Sequence, residues 1–119
     1  MNGVKYLLDT NIILGMYQHS AAVITLMQSK QVGISQCAYS AITRMELLGF
    51  VGITDYEERT IKALLDRMTH LSLTPVIEEL TIQFRRQHQT KLPDAIIAAT
   101  AQGYDLELLT LDKKLQAKL

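Results

Sequence analysis

The chain has 119 residues, 48% of them hydrophobic, and its twelve basic side chains balance twelve acidic ones. That composition describes one globular domain with a single sizeable core, and it excludes both a disordered chain and a strongly basic nucleic-acid binder, though not a local basic patch. No apolar run approaches the roughly 20 residues of a membrane span, and nothing at the N-terminus reads as a signal peptide.

Lys5 to Leu8 read as a first strand, buried on both faces because the run is continuously apolar. It stops at Asp9, and a helix is expected from about Asn11 to Tyr17. Ser20 is placed to cap a second helix through Ala21, Ala22, Val23, Ile24, Leu26 and Met27. Gly33 to Ala38 read as strand two, with the single Cys37 as a small core residue. A lone cysteine cannot form an internal disulfide, which fits a reducing cytoplasm. Ser40 caps a helix carrying Ile42, Met45, Glu46, Leu48 and Phe50.

Thr54-Asp55-Tyr56-Glu57 has the spacing of a capping box, and Ile61, Leu64, Leu65 and Met68 follow on one helical face. Glu57, Glu58, Arg59, Lys62, Asp66 and Arg67 fall on the solvated side. Leu71 to Leu73 make a short third strand. Thr74-Pro75 opens a helix with Val76, Leu80 and Phe84 that ends in Arg85, Arg86, Gln87 and His88. Pro93 opens a further helix, Asp94 to Gln102, with Gly103 as a left-handed cap. Leu106 to Thr110 form strand four, and Asp112 caps a last short helix with Leu115 facing inward. Strands alternating with helices predict an α/β chain, a three-layer α/β/α sandwich around a parallel sheet of about four strands.

Four of the twelve acids stand in apolar settings: Asp9, Glu46, Asp94 and Asp112. Asp9 and Asp112 close strands one and four, Asp94 lies in a first helical turn where the dipole favours an anion, and Glu46 sits on the helix after strand two. The loops after neighbouring parallel strands share one edge of the sheet, so the four can converge. Asp9 alone reads equally well as a cap for the next helix or as a functional residue. Together they repel, and the ordinary resolution is a hard divalent cation, Mg²⁺ or Mn²⁺. His19, His70 and His88 stand in polar or boundary contexts without metal-ligand spacing, which disfavours zinc. A carboxylate-held Mg²⁺ serves phosphoryl chemistry. Without a Walker-type loop or a Ser-His-Asp or Cys-His pattern, metal-dependent hydrolysis of a phosphodiester remains.

The chain resembles the PIN-domain nucleases and, among them, the VapC-type toxins of bacterial toxin–antitoxin pairs. Four blocks carry the resemblance: Leu7-Leu8-Asp9-Thr10-Asn11, Ser40 to Gly49 around Glu46, Leu92-Pro93-Asp94 through Ala101, and Leu108-Leu109-Thr110-Leu111-Asp112. It implies that Asp9, Glu46, Asp94 and Asp112 are the acidic quartet that binds Mg²⁺ or Mn²⁺ and catalyses. It also implies that Thr10, Asn11 and Thr110 orient those carboxylates by hydrogen bonds. Family members usually cut RNA, form homodimers and are silenced by a cognate antitoxin. Attack by water, as in the family, leaves a 5′-phosphate and a 3′-hydroxyl. Many relatives continue into a further strand past the fourth acid, whereas this chain stops at Leu119, so a four-strand sheet is expected with one edge bare or covered by a partner.

Arg44, Arg85, Arg86, Lys91, Lys113 and Lys114 are the candidate contacts to RNA, and Tyr17, Leu26, Tyr39 and Phe50 are candidates either for a partner surface or for ordinary core. Two other readings compete. One is a catalytically silent PIN-fold module that binds RNA or protein, which loss of an acid would favour. The other is a receiver-type signalling domain, which the settings of Asp94 and Asp112 do not suit.

Overall fold

The structure, a computed structural model, describes residues 3–119. Four parallel strands, β1 (Tyr6–Leu8), β2 (Cys37–Ser40), β3 (Thr69–Leu71) and β4 (Glu107–Leu109), lie in the order β3-β2-β1-β4. Seven helices cover them: α1 (Thr10–Tyr17), α2 (Ala21–Ser29), α3 (Ala41–Leu48), α4 (Asp55–Leu65), α5 (Pro75–His88), α6 (Leu92–Gly103) and α7 (Lys113–Ala117). Among the described residues no helix is long and apolar enough to cross a membrane.

Successive strand residues point to opposite faces, so each strand feeds two cores. On one face Leu7, Ala38, Leu71 and Leu108 pack with Phe84 of α5, Ile97 and Ala98 of α6 and Leu115 of α7. On the other, Leu8, Cys37, Tyr39 and Leu109 pack with Ile12 and Ile13 of α1, Val23 of α2, Leu47 of α3 and Ile61 and Leu65 of α4. This is the expected three-layer sandwich, with Cys37 buried as expected. Helix α6 is buried at every residue from Ala95 to Ala101. Its one polar side chain there, Thr100, donates to its own helix at Ile96 O (2.7 Å).

Several local readings are corrected. Strand two begins only at Cys37, because residues 34–36 close a 3₁₀ turn in which Gly33 N donates to Gln36 Oε1 at 2.9 Å. Strand three is Thr69–Leu71, in register with Ala38 to Ser40, and Leu73 lies beyond it, exposed. Helix α5 buries Ile77, Thr81 and Phe84, while Val76 faces solvent. Phe50 lies past the end of α3. Ser20 starts α2 without a side-chain cap bond.

The left-handed residue after α6 is Asp105, not Gly103. Gly103 stays helical because α5 crosses closely there: a Cβ would stand 2.6 Å from Ile77 Cδ1. Gly15 does the same for α1 against α2, where a Cβ would overlap the Val23 side chain. The positioning consequence is that α1, α3, α6 and α7 begin near one edge of the sheet, where β1, β2 and β4 end.

Candidate active site

Strands β1 and β4 are direct neighbours, and Asp9 N donates to Leu109 O at 2.9 Å, so the segment after β1 lies against the segment after β4. Asp9 is 5% exposed and starts α1. Its Oδ1 accepts from Thr10 N at 2.8 Å. Its Oδ2 accepts from Thr110 Oγ1 at 2.6 Å and from Asn11 Nδ2 at 3.3 Å. Both donors are held in turn. Thr110 Oγ1 accepts from Asp112 N at 3.0 Å, and Asn11 Oδ1 accepts from Leu111 N at 3.2 Å. The loop after β4 is thereby stitched to α1 through the side chains around Asp9.

Glu46 reaches the same place from α3. Thr10 Oγ1 lies 2.7 Å from Glu46 Oε1 and 3.1 Å from Thr43 Oγ1. A hydroxyl has one proton, so Thr10 in donating to the carboxylate can take the second bond only as an acceptor from Thr43. Thr43 is fully buried and was not among the sequence candidates. Its signal is the i, i+3 spacing to Glu46 on one helical face. Glu46 itself is exposed, as is Met45 beside it, so its setting is less apolar than the sequence suggests.

Asp94 stands in the first turn of α6. Asp112 starts α7, and its Oδ1 accepts from Lys114 N (2.9 Å) and Leu115 N (3.1 Å). Capping is therefore part of what Asp9 and Asp112 do. It does not account for their company. Burial first raises the Asp9 pKa above its ordinary 3.8, and the charges of Glu46 and Asp112 add to it, against the lowering bonds from Thr110 and the Thr10 amide. Asp94 is likewise raised, by burial first and then by Asp9 and Asp112, against the lowering charges of Lys91 and Lys118. Asp9 thus feels Glu46 and Asp112, and Asp94 feels Asp9 and Asp112.

The four do not touch. Among the described residues no three His, Cys, Asp or Glu side chains stand close enough together to hold a metal ion. The donor chemistry nevertheless fits a hard cation. Mg²⁺ keeps several waters and is commonly bound through one or two carboxylates, so the outer acids can act through water. Buried carboxylates that repel one another gain most from such an ion.

The acids also set a pH dependence. A carboxylate whose pKa is raised by folding binds a proton in the folded state that the unfolded chain releases. Between 3.8 and the raised values, stability of the metal-free protein should therefore fall as pH rises, and the loss is complete above them. Urea midpoints in EDTA from about pH 4 to about pH 7 should drop more for the wild type than for Asp9→Asn/Asp94→Asn. Equal slopes would contradict the mutual repulsion.

The basic candidates separate. Lys91 and Lys114 line a cleft of 360 Å³ together with Thr90, Asp94, Asp112 and Lys118. Lys113 lines a different groove, with Leu26 and Leu111. Arg85 is tied by Nε to Thr90 O (3.2 Å) and shapes the turn before α6. Arg44 and Arg86 are exposed and line neither cleft. Lys118 was missed by the sequence reading, since nothing in the local pattern marks it. Of the four apolar partner candidates, Tyr39 is core, Tyr17 and Leu26 are half-buried against it, and Phe50 is exposed.

A sequence model of the PIN domain matches residues 6–118. In fold the chain is similar to one from a toxin–antitoxin complex of Klebsiella pneumoniae, at 32% identity and TM-score 0.81 over 95% of this chain and 91% of that one. It is also similar to VapBC-1 from nontypeable Haemophilus influenzae (24%, TM-score 0.77, 97% and 92%) and to FitAcB from Neisseria gonorrhoeae (22%, TM-score 0.76, 95% and 91%). No curated protein matches the sequence. The chain belongs to the PIN-domain family. The resemblance of the four sequence blocks to its VapC-type branch is borne out.

Proposed function

We propose that the protein is a Mg²⁺- or Mn²⁺-dependent endoribonuclease and the toxin of a cytoplasmic toxin–antitoxin pair. The observation that carries this is the bonded network at the sheet edge, in which Thr110 joins Asp9 to the Asp112 amide and Thr10 joins Asp9 to Glu46, with Asp9 and Asp94 both raised by burial and by fellow acids. Membership of a family of toxin nucleases supports it. So does the likeness to a chain from a toxin–antitoxin complex, from which we carry over a cognate antitoxin as partner. A homodimer is proposed on the family resemblance.

Asp9 and Asp94 would hold the cation, with Glu46 and Asp112 completing its surroundings. Bound there, the cation supplies an acidified water and neutralises charge developing on the phosphate. The protein's own groups do the rest. Thr110 and Asn11 fix Oδ2 of Asp9, so its lone pairs are aimed before substrate arrives. Thr10 donates to Glu46 and is itself held by Thr43. A quartet carboxylate accepts the proton lost by the attacking water. Among the described residues no histidine lines the cleft beside Asp94 and Asp112, so the chain offers no imidazole pair to draw the ribose 2′-hydroxyl into attack.

Calorimetric titration of Mg²⁺ and Mn²⁺ tests the site apart from activity. Wild type should bind, and Asp94→Asn should bind about 10–100-fold more weakly. Equal affinity in the two proteins would remove Asp94 from the site.

A further inference from the structure

Resting on the reading of the chain as an RNA hydrolase, we propose that the cleft between the turn at Gln89–Lys91 and α7 binds a phosphate of the RNA strand next to the bond that is cut. Lys91, Lys114 and Lys118 supply charge, and Thr90 supplies a hydroxyl donor.

Three lysines and two aspartates line this cleft. Yet the ion pairs among the described residues are Lys30–Glu107 and Lys62–Glu58, so none of the three lysines is paired with Asp94 or Asp112. Cations gathered beside carboxylates without closing on them are free for a third, anionic party. The cleft's 360 Å³ leaves room for more than a single ion.

Thr90 gives the second, independent sign. It is 6% exposed, and its Oγ1 is buried without a hydrogen-bond partner, the one such side-chain atom among the described residues. A buried hydroxyl left unpaired is costly and uncommon. The Thr90 backbone is pinned, since its carbonyl accepts from Arg85 Nε and Gln89 before it is left-handed at φ 51°. With the backbone fixed, a χ1 rotation is the motion available to bring that hydroxyl to a phosphate oxygen. The subsite adjoins Asp94 and Asp112, so a strand seated there has its neighbouring phosphodiester at the quartet. It also assigns Arg85 a shaping role, in place of the direct RNA contact expected from sequence.

The test measures binding of a labelled single-stranded RNA of about twelve nucleotides to full-length Asp9→Asn protein, alone and with Lys118→Gln, Thr90→Val or, as a control on α4, Arg59→Gln. Lys118→Gln should weaken binding about threefold to tenfold and lower the slope of log affinity against log salt by about 0.7 to 1. Thr90→Val should weaken it about threefold while leaving thermal stability unchanged or higher, because it removes an unpaired hydroxyl. In the wild-type background both changes should fall on KM more than on kcat. Affinity and salt slope that match the Arg59→Gln control overturn the subsite, even where wild type cleaves RNA normally. The expected losses in the variants, together with a wild type that binds RNA but never cleaves it, overturn the hydrolase reading instead.

Discussion

Asp9→Asn should fold and bind RNA but cut it about 10²–10⁴-fold more slowly. The substitution is isosteric. Asn keeps one carbonyl oxygen for the Thr10 amide, and the position stays packed at the end of β1. What it loses is the negative charge, together with the second acceptor that now takes bonds from Thr110 Oγ1 and Asn11 Nδ2. In the metal-free protein that loss relieves burial of a charge and repulsion from Glu46 and Asp112, so neutral-pH stability should not fall. Activity and stability are thus expected to move in different directions. Cleavage by Asp9→Asn within about tenfold of wild type, below the smallest loss expected of a group in the reacting set, would contradict Asp9's place in the site.

Phe84→Ala should destabilise the protein by about 3–5 kcal/mol, a large share of the roughly 5–15 kcal/mol that holds a domain folded. Phe84 is 2% exposed, packs in the core between the sheet and α5–α6, and meets the His88 ring at 4.4 Å between centroids. Its neighbours there include Ala95, Ala98 and Ala101, which are too short to fill the gap. Urea unfolding at an unchanged slope checks this, since a shifted midpoint alone then reports stability. A loss below about 1 kcal/mol, well short of the range for buried aromatic truncations, would mean that α5 and α6 collapse onto the vacated space. Because α6 carries Asp94, the same variant should also lose nuclease activity before it loses the fold.

The layers and the order of elements were legible because strict features mark them. Apolar runs ending in Asp9 and near Asp112 mark two strands, and the Thr54–Glu57 capping box and Thr74–Pro75 start two helices where expected. Strand ends were less legible. In parallel strands of three or four residues, tertiary register decides the limits, so β3 follows β2 residue by residue and leaves Leu73 outside. Glycine was misread at Gly103 because helix packing and a left-handed cap favour the same residue, and only the Ile77 contact tells them apart. Within the candidate site, carboxylates in apolar surroundings stand out in a sequence. Thr43, Thr90 and Lys118 do not, because their meaning comes from which elements meet and not from local pattern.

Mapping the ends of RNA cut by the wild-type protein, with and without EDTA, tests the central claim most directly. A cation held by the four carboxylates and attack by water predict 5′-phosphate and 3′-hydroxyl ends, cleavage stopped by EDTA, and recovery with Mg²⁺ or Mn²⁺. Fragments ending in 2′,3′-cyclic phosphate, produced as fast in EDTA as in Mg²⁺, would contradict it.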